Sequence, residues 1–357
     1  MSSGKIFSRG GPALPIAASG DGAYITDKSG RRYLDAAGGA IVVGIGHGRR
    51  AVADAAAAQM AKIAYAHGSA FTAETLDAWA SEVGPLLPMR DPSLYPVSGG
   101  SEAAETALKM VRAYWLAQGE PDRTVVVSRW GSYHGNTLGA LDLSGRTGLR
   151  RPYEPWLGRF EHVSAPYSYR AGHDGANAIA SGAEAVAELD ALLSRVGPGR
   201  IAAFVAEPIV GATLAAAVPP DDYWPAVSAW CARNKVLLVA DEVMTGFGRT
   251  GVGSQSGDRF HAFATQHEGV VPDLLALAKG LTGGYLPMAA TLTTQAIFDS
   301  FLGDYADFRT FFHGHSYTGN ALGAAASLAS VGLLSAPAGV RRRRALEAAF
   351  QTELDLL

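Results

Sequence analysis

The stretch LLALAKGLTGG, Leu274 to Gly284, decides the fold. Its apolar residues run without alternation, as in a strand buried on both faces, then stop at a lysine and break into glycines. Periodicity leaves one ambiguity: this run and Ile201–Ala206 also suit buried helix turns. Outward from it, Thr124–Ser128, Ile201–Ala206, Val236–Ala240 and Met288–Leu292 are runs of the same kind. Helical patterns lie between them, at Ser101–Gln118 (apolar Ala104, Leu108, Val111 and Trp115), Ala183–Ser194 and Asp222–Asn234. Buried strands alternating with helices predict an α/β chain with a parallel sheet covered on both faces.

The ends read differently. Gly22–Ile25 and Arg32–Asp35 flank the turn signal Asp27-Lys28-Ser29-Gly30 and predict a small hairpin, followed by an Ala-rich helix from about Ala51. From about Asn320 the chain is again helical. Arg341–Leu357 puts Leu346, Phe350, Leu354 and Leu357 on one apolar face, and Arg341–Arg344 read as the solvated first turn of that helix rather than a nucleic-acid patch.

Composition narrows the class. The chain has 357 residues, 48% of them hydrophobic and 18% charged, which excludes disorder. Lys+Arg 30 against Asp+Glu 33 leaves a formal charge of -3, without the basic excess of a nucleic-acid binder. Cys231 is the sole cysteine, so an intrachain disulfide is impossible and a cytoplasmic setting is expected. No apolar run reaches the roughly 20 residues of a membrane helix, and Met1–Lys5 opens no signal peptide.

Four features carry chemistry. Lys279 ends a buried run beside glycines, where α/β sheets bind ligands and where desolvation favours a neutral, nucleophilic amine. Asp241-Glu242 ends the run Lys235–Ala240, where an acid suits a metal, a ribose, a protonated ring nitrogen or merely a turn. Ser98-Gly99-Gly100-Ser101 opens an amphipathic helix as an anion cradle, with Ser101 as N-cap and Glu105 nearby as the purely structural alternative. Tyr133-His134-Gly135 follows a strand end, where an aromatic ring can stack on a flat cofactor. Gly246–Gly251 matches G-x-G-x-x-G, but the polar, glycine-rich Gly251–Gly257 beyond it has no helical period, so it does not read as a dinucleotide site. His313 and His315 lack a clear third metal ligand, and no nucleophile elbow appears. A phosphate cradle, a stacking ring, an acid and a lysine are together what pyridoxal phosphate needs.

At this point the chain, from about Leu14 onward, resembles the class III (ω-amino acid) aminotransferases of fold-type I pyridoxal-phosphate enzymes. The motifs are SGGSEAAETALK (98–109), YHGNT (133–137), AEPIVGA with Glu207-Pro208, LLVADEVMTGFGRTG (237–251), LALAKGLTGGYLP (275–287) and HGHSYTGN (313–320). The resemblance implies a mostly parallel, seven-stranded-type sheet with helices on both faces, plus a small α+β domain. Residues 1–60 would contribute to the small domain, 61–320 would form the large cofactor-binding domain, and 321–357 would begin the C-terminal part. Lys279 would be the Schiff-base lysine and general acid/base, and Asp241 the partner of the pyridine nitrogen. Val243 and Tyr133 would flank the ring, with His134 and Glu207 beside it. Gly100 and Ser101 would bind the phosphate, and Ser316 would reach the phosphate of a neighbouring subunit in a homodimer.

The back half looks closest to diaminopelargonate aminotransferases, whereas Gly38–Val43 lacks their aromatic substrate cover. Family members continue well beyond Leu357 and there supply an arginine that pairs with Glu207 or clamps a substrate carboxylate, so a truncated member is expected. The expected activity moves an amino group from an amine or ω-amino acid to a keto acceptor. Decarboxylase, racemase and aminomutase activities use the same site, and a catalytically impaired, non-enzymatic member is the remaining alternative.

Overall fold

The computed structural model describes residues 14–173, 177–251, 260–306 and 309–356. An antiparallel meander opens it, β1 (Ala17–Asp21), β2 (Tyr24–Asp27) and β3 (Arg32–Leu34). The expected hairpin is its second half; the strand ahead of it is short and exposed and carries no apolar signal.

The central sheet has seven strands: β4 (Ser93–Val97), β5 (Val125–Arg129), β6 (Glu161–Val163), β7 (Ile201–Ala206), β8 (Leu237–Asp241), β9 (Leu274–Leu277) and β10 (Ala289–Thr293), in the order β4-β10-β9-β8-β7-β5-β6. β6, β5, β7, β8 and β9 pair in parallel, so the runs at Leu274 and Ile201 are strands and not helix turns. The sheet is mixed, however. The run at Met288–Leu292 forms β10, antiparallel to both β9 and β4. It follows β9 after residues 278–288, which hold a single 3-10 turn and no helix long enough for the crossover that a parallel return needs. Two edge strands escape the sequence reading. β4 contains Pro96, tolerated at an edge, and β6 has three half-buried residues.

Helices cover the sheet. α1 (Arg50–Lys62) and α2 (Glu74–Val83) precede β4; α3 (Gly100–Ala117), α4 (Gly182–Val196) and α5 (Tyr223–Asn234) link the strands; α6 (Ala321–Ser335) and α7 (Pro337–Leu354) close the described chain. In α3, Ala104, Val111 and Trp115 face the core, and Trp115 Nε1 donates to Ala202 O of β7 at 2.9 Å. A second core forms where α6 crosses α1 and α2, with Trp79 Nε1 donating to Ser327 Oγ at 3.0 Å.

The arginine run is not a first turn. Pro337 starts α7 earlier, as proline favours, and Arg343 is half-buried, its guanidinium 4.8 Å over the Phe260 ring and bonded to Leu334 O. Leu346, Phe350 and Leu354 are exposed by 68%, 65% and 46%, as the apolar face requires. Leu357, Met1–Lys5 and residues 252–257 of the glycine-rich stretch lie outside the described residues. No single described helix is long and apolar enough to cross a membrane.

Candidate active site

Five strands carrying the same polarity end at one edge of the sheet, and each delivers a singled-out residue there. Ser98–Ser101 follows β4, Tyr133 and His134 follow β5, Glu207 follows β7, Asp241 ends β8 and Lys279 follows β9. Ligands bind α/β sheets outside this carboxyl edge.

Lys279 begins a single 3-10 turn, with a φ of 45° that a lysine adopts only under local constraint. Partial burial lowers its pKa from the usual lysine value; Asp241 and Glu207 oppose that shift, and Arg249 adds to it. The amine is thus shifted toward its neutral, nucleophilic form.

Asp241 is buried, and both its oxygens are engaged. Oδ2 lies 2.7 Å from His134 Nδ1, and Oδ1 accepts the Val243 amide at 3.0 Å. His134 is buried too, with Nε2 3.2 Å from Ser128 Oγ. Glu242, next in sequence, turns away: its carboxylate accepts from Thr245, Ala264 and Thr265, so it braces the loop and leaves the site to Asp241.

At the cradle, Ser101 is not the N-cap. Gly99 takes that position, and Glu102 Oε2 reaches back to accept the amides of Ser98 (2.8 Å) and Gly99 (3.0 Å). Gly100 and Ser101 therefore occupy the first helical turn, whose amides have no intrahelical acceptor. Ser101 Oγ exchanges hydrogen bonds with Asn136, donating to Oδ1 at 2.9 Å and accepting the amide at 3.0 Å. Glu105 sits elsewhere, capping Gly139 and Ala140. A Cβ on Gly100 would come within 3.1 Å of Val243 Cγ1, so glycine lets the helix start approach that side chain.

Glu207 is buried, and desolvation raises its pKa from the usual carboxylate value. It accepts the Tyr133 amide at 3.3 Å and the Gly211 amide at 3.2 Å. Tyr133 keeps an exposed ring, 40% accessible. Ser316 is exposed and its carbonyl accepts Tyr65 Oη at 2.8 Å; among the described residues no hydrogen bond joins it to Ser101.

Three residues that the sequence reading passed over belong to the same region. Arg129, fully buried at the end of β5, donates to Glu207 O and so ties the Tyr133 loop to β7. Asn136 lay inside the quoted motif but carried no role. Arg249 lies inside both the G-x-G-x-x-G match and the motif LLVADEVMTGFGRTG, neither of which gives it a role. It has no hydrogen bond or ion pair among the described residues, and a Cβ on Gly44 would lie 3.6 Å from its guanidinium.

The donor set fits pyridoxal phosphate: first-turn amides and a hydroxyl for a phosphate, an apolar wall at Val243, a buried carboxylate for a protonated ring nitrogen, and a desolvated amine. A seven-stranded α/β sheet with this edge is that of a fold-type I pyridoxal-phosphate enzyme. The chain belongs to the class III aminotransferases, whose family model, "Aminotransferase class-III", matches residues 7–357. It is 37% identical to an aminotransferase of Bacillus subtilis over 92% of this chain and 71% of that protein. It is 35% identical to the adenosylmethionine-8-amino-7-oxononanoate aminotransferase of Geobacter sulfurreducens, over 89% of this chain and 68% of that one. Among solved structures it is similar to an amine transaminase from an uncultivated Pseudomonas species in a PLP-bound form, at 35% identity and a TM-score of 0.83, over 92% of this chain and 73% of that one.

Proposed function

We propose that this aminotransferase moves an amino group from an amine or ω-amino acid donor to a keto acid, with Lys279 and Asp241 as its catalytic residues. The observation that carries this reading is the desolvated Lys279 amine at the carboxyl edge, opposite the buried Asp241–His134 pair. Pyridoxal phosphate supplies an aldehyde for the amino group and a ring that withdraws electrons from the donor carbon. Asp241 holds the proton of the ring nitrogen, and His134 orients the carboxylate. Gly100 and Ser101 would bind the phosphate, Val243 and Tyr133 would flank the ring, and Glu207, which accepts the Tyr133 amide, would lie beside it. Lys279 Nζ would be the amine that holds the aldehyde and, when free, the base that moves the proton at the donor carbon.

Arg249 is the cation available to a substrate carboxylate, since nothing described neutralises it. The 8-amino-7-oxononanoate named for the Geobacter relative is disfavoured as a substrate because Val42 and Val43, beside Gly284, bring no aromatic cover. We read residues 61–320 as the large domain, with 1–60 and 321–357 contributing to a small one. We also read the protein as a cytoplasmic homodimer. Ser316 lies on a face where Tyr65, Phe71 and Tyr317 are exposed by 49%, 70% and 59%, which suits a contact with a second copy.

Borohydride reduction of the loaded protein and peptide mapping test the lysine: a pyridoxyl group should appear on Lys279, and on another lysine it overturns the assignment. Single-turnover spectra with amine donors, then pyruvate or 2-oxoglutarate, test the reaction. Carbon dioxide release or donor racemisation without amino transfer would favour the same-fold alternatives.

A further inference from the structure

Glu102, Thr106 and Lys109 stand four and three residues apart on α3, so they share one face of the helix whose N-terminus forms the cradle. The loop bearing Ser316 lies along that face. His315 Nε2 is 3.2 Å from Glu102 Oε2, while Tyr317 donates its amide to His315 Nδ1 at 3.1 Å. One turn further on, His313 Nε2 is 2.9 Å from Thr106 Oγ1, and Lys109 Nζ is 3.3 Å from His313 Nδ1. Tyr95 Oη, rooted in β4, donates to the His313 carbonyl.

The hydrogens of this cluster can be assigned. Thr106 has one hydroxyl proton, and Glu102 O takes it at 2.7 Å. His313 Nε2 must then donate to Thr106, which leaves Nδ1 as the acceptor for the Lys109 ammonium. The ring is held neutral in one tautomer, and burial together with Lys109 keeps its pKa below the ordinary histidine value. A ring fixed at both nitrogens and at its own carbonyl is a rigid clip between loop and helix.

We propose that His313 is a positioning residue that sets the place of Ser316 by clipping its loop to the Thr106–Lys109 face of α3. This rests on the reading of Ser316 as a ligand for the phosphate bound in the neighbouring subunit. Under it, α3 carries its own phosphate at its N-terminus and steers the loop that completes the other site. His313 touches neither the cradle nor Lys279, so its effect passes through the loop, chiefly by Ser316 and in part by the His315–Glu102 contact.

Titration of the apoprotein with pyridoxal phosphate, and separately with pyridoxal, separates this from general destabilisation. His313→Ala, Thr106→Val and Ser316→Ala should each weaken pyridoxal phosphate binding, by up to about ten- to hundredfold for the loss of one hydrogen bond to a charged group, and leave pyridoxal binding unchanged. The double variant His313→Ala/Ser316→Ala should lose much less than the product of the two single losses. Thr106→Val removes the acceptor of the clip together with the hydroxyl's own bond to Glu102 O, and serves if His313→Ala does not fold. Multiplicative losses in the double variant, or equal losses for both ligands, overturn the inference while leaving the shared site intact. Wild-type affinity in Ser316→Ala overturns the shared-site reading, and the inference with it.

Discussion

His134 Nδ1 stands 2.7 Å from Asp241 Oδ2, and both side chains are shut away from solvent. The pair joins the loop after β5 to the end of β8, so the two strands fix the carboxylate jointly. With Oδ1 held by the Val243 amide, Asp241 can present its charge in only one orientation. Asp241→Asn keeps the shape and loses the charge that retains a ring-nitrogen proton. The variant should still bind pyridoxal phosphate but lose turnover by on the order of a hundredfold or more, as other preorganised electrostatic contacts do. Steady-state kinetics check this; near-normal turnover would make Asp241 a turn acid.

Glu207 gives the pH dependence. Burial raises its carboxyl pKa, so between the unfolded value of about 4.3 and the higher folded value the folded chain holds a proton that the unfolded chain has released. Stability falls as pH rises through that window. Glu207→Gln removes the ionisation but turns an NH2 toward one of the two amides that the carboxylate accepts, so its apoprotein should lose stability by an amount independent of pH. Its stability should also lack the fall with rising pH that wild type shows above about pH 4.3. Melting curves across this range test it, and a difference independent of pH would place the ionisation elsewhere.

Much of this was legible because buried strands and their ends leave strong local signals. The run Leu274–Ala278 and the lysine that breaks it stand out in the sequence alone, but only the sheet pairing makes it and Ile201–Ala206 strands and not helix turns. β10 reads as a strand but not as an antiparallel one, because direction depends on the length of the connection and not on the run itself. The cradle was seen with the wrong cap, since Glu102 and Glu105 are both spaced to reach a helix start and only the fold sends Glu105 to Gly139. Arg129, buried with no ion pair among the described residues, gives no signal in the sequence: a charged residue at the end of an apolar run reads as a boundary, and only packing shows that it is core.

Gly135 tests the cradle by shape. Its φ is +142°, and a Cβ there would lie 2.5 Å from Ser101 Oγ and 2.8 Å from Ser101 Cα. The second contact is with the helix backbone, so no rotamer change relieves it. Gly135→Ala should push the Tyr133–Asn136 loop off Ser101, breaking the paired Asn136 bonds. Pyridoxal phosphate affinity should fall about tenfold, the loss of one to two such bonds, with a smaller loss for pyridoxal. Equal affinity for both ligands in the variant and the wild type would mean that the loop yields without moving the hydroxyl.

Arg249 makes a prediction with two independent readouts. Its positive charge helps to lower the Lys279 pKa, and its guanidinium has no described partner, so removing it acts on the lysine and on any substrate carboxylate. In Arg249→Ala the lysine pKa should rise, moving the acidic limb of the pH–rate profile to higher pH, because the amine stays protonated further up the scale. The KM for a keto acid acceptor should also rise, about tenfold for an ion pair in a partly desolvated site, while that for an amine donor without a carboxylate should hardly change. Arg249→Lys keeps the charge and should restore the pH profile but only part of the KM, since an ammonium lacks the two-pronged geometry. A KM that rises equally for donor and acceptor would show that Arg249 shapes the site without binding the carboxylate. A pH profile that stays in place would show that its charge does not reach Lys279 in the loaded enzyme.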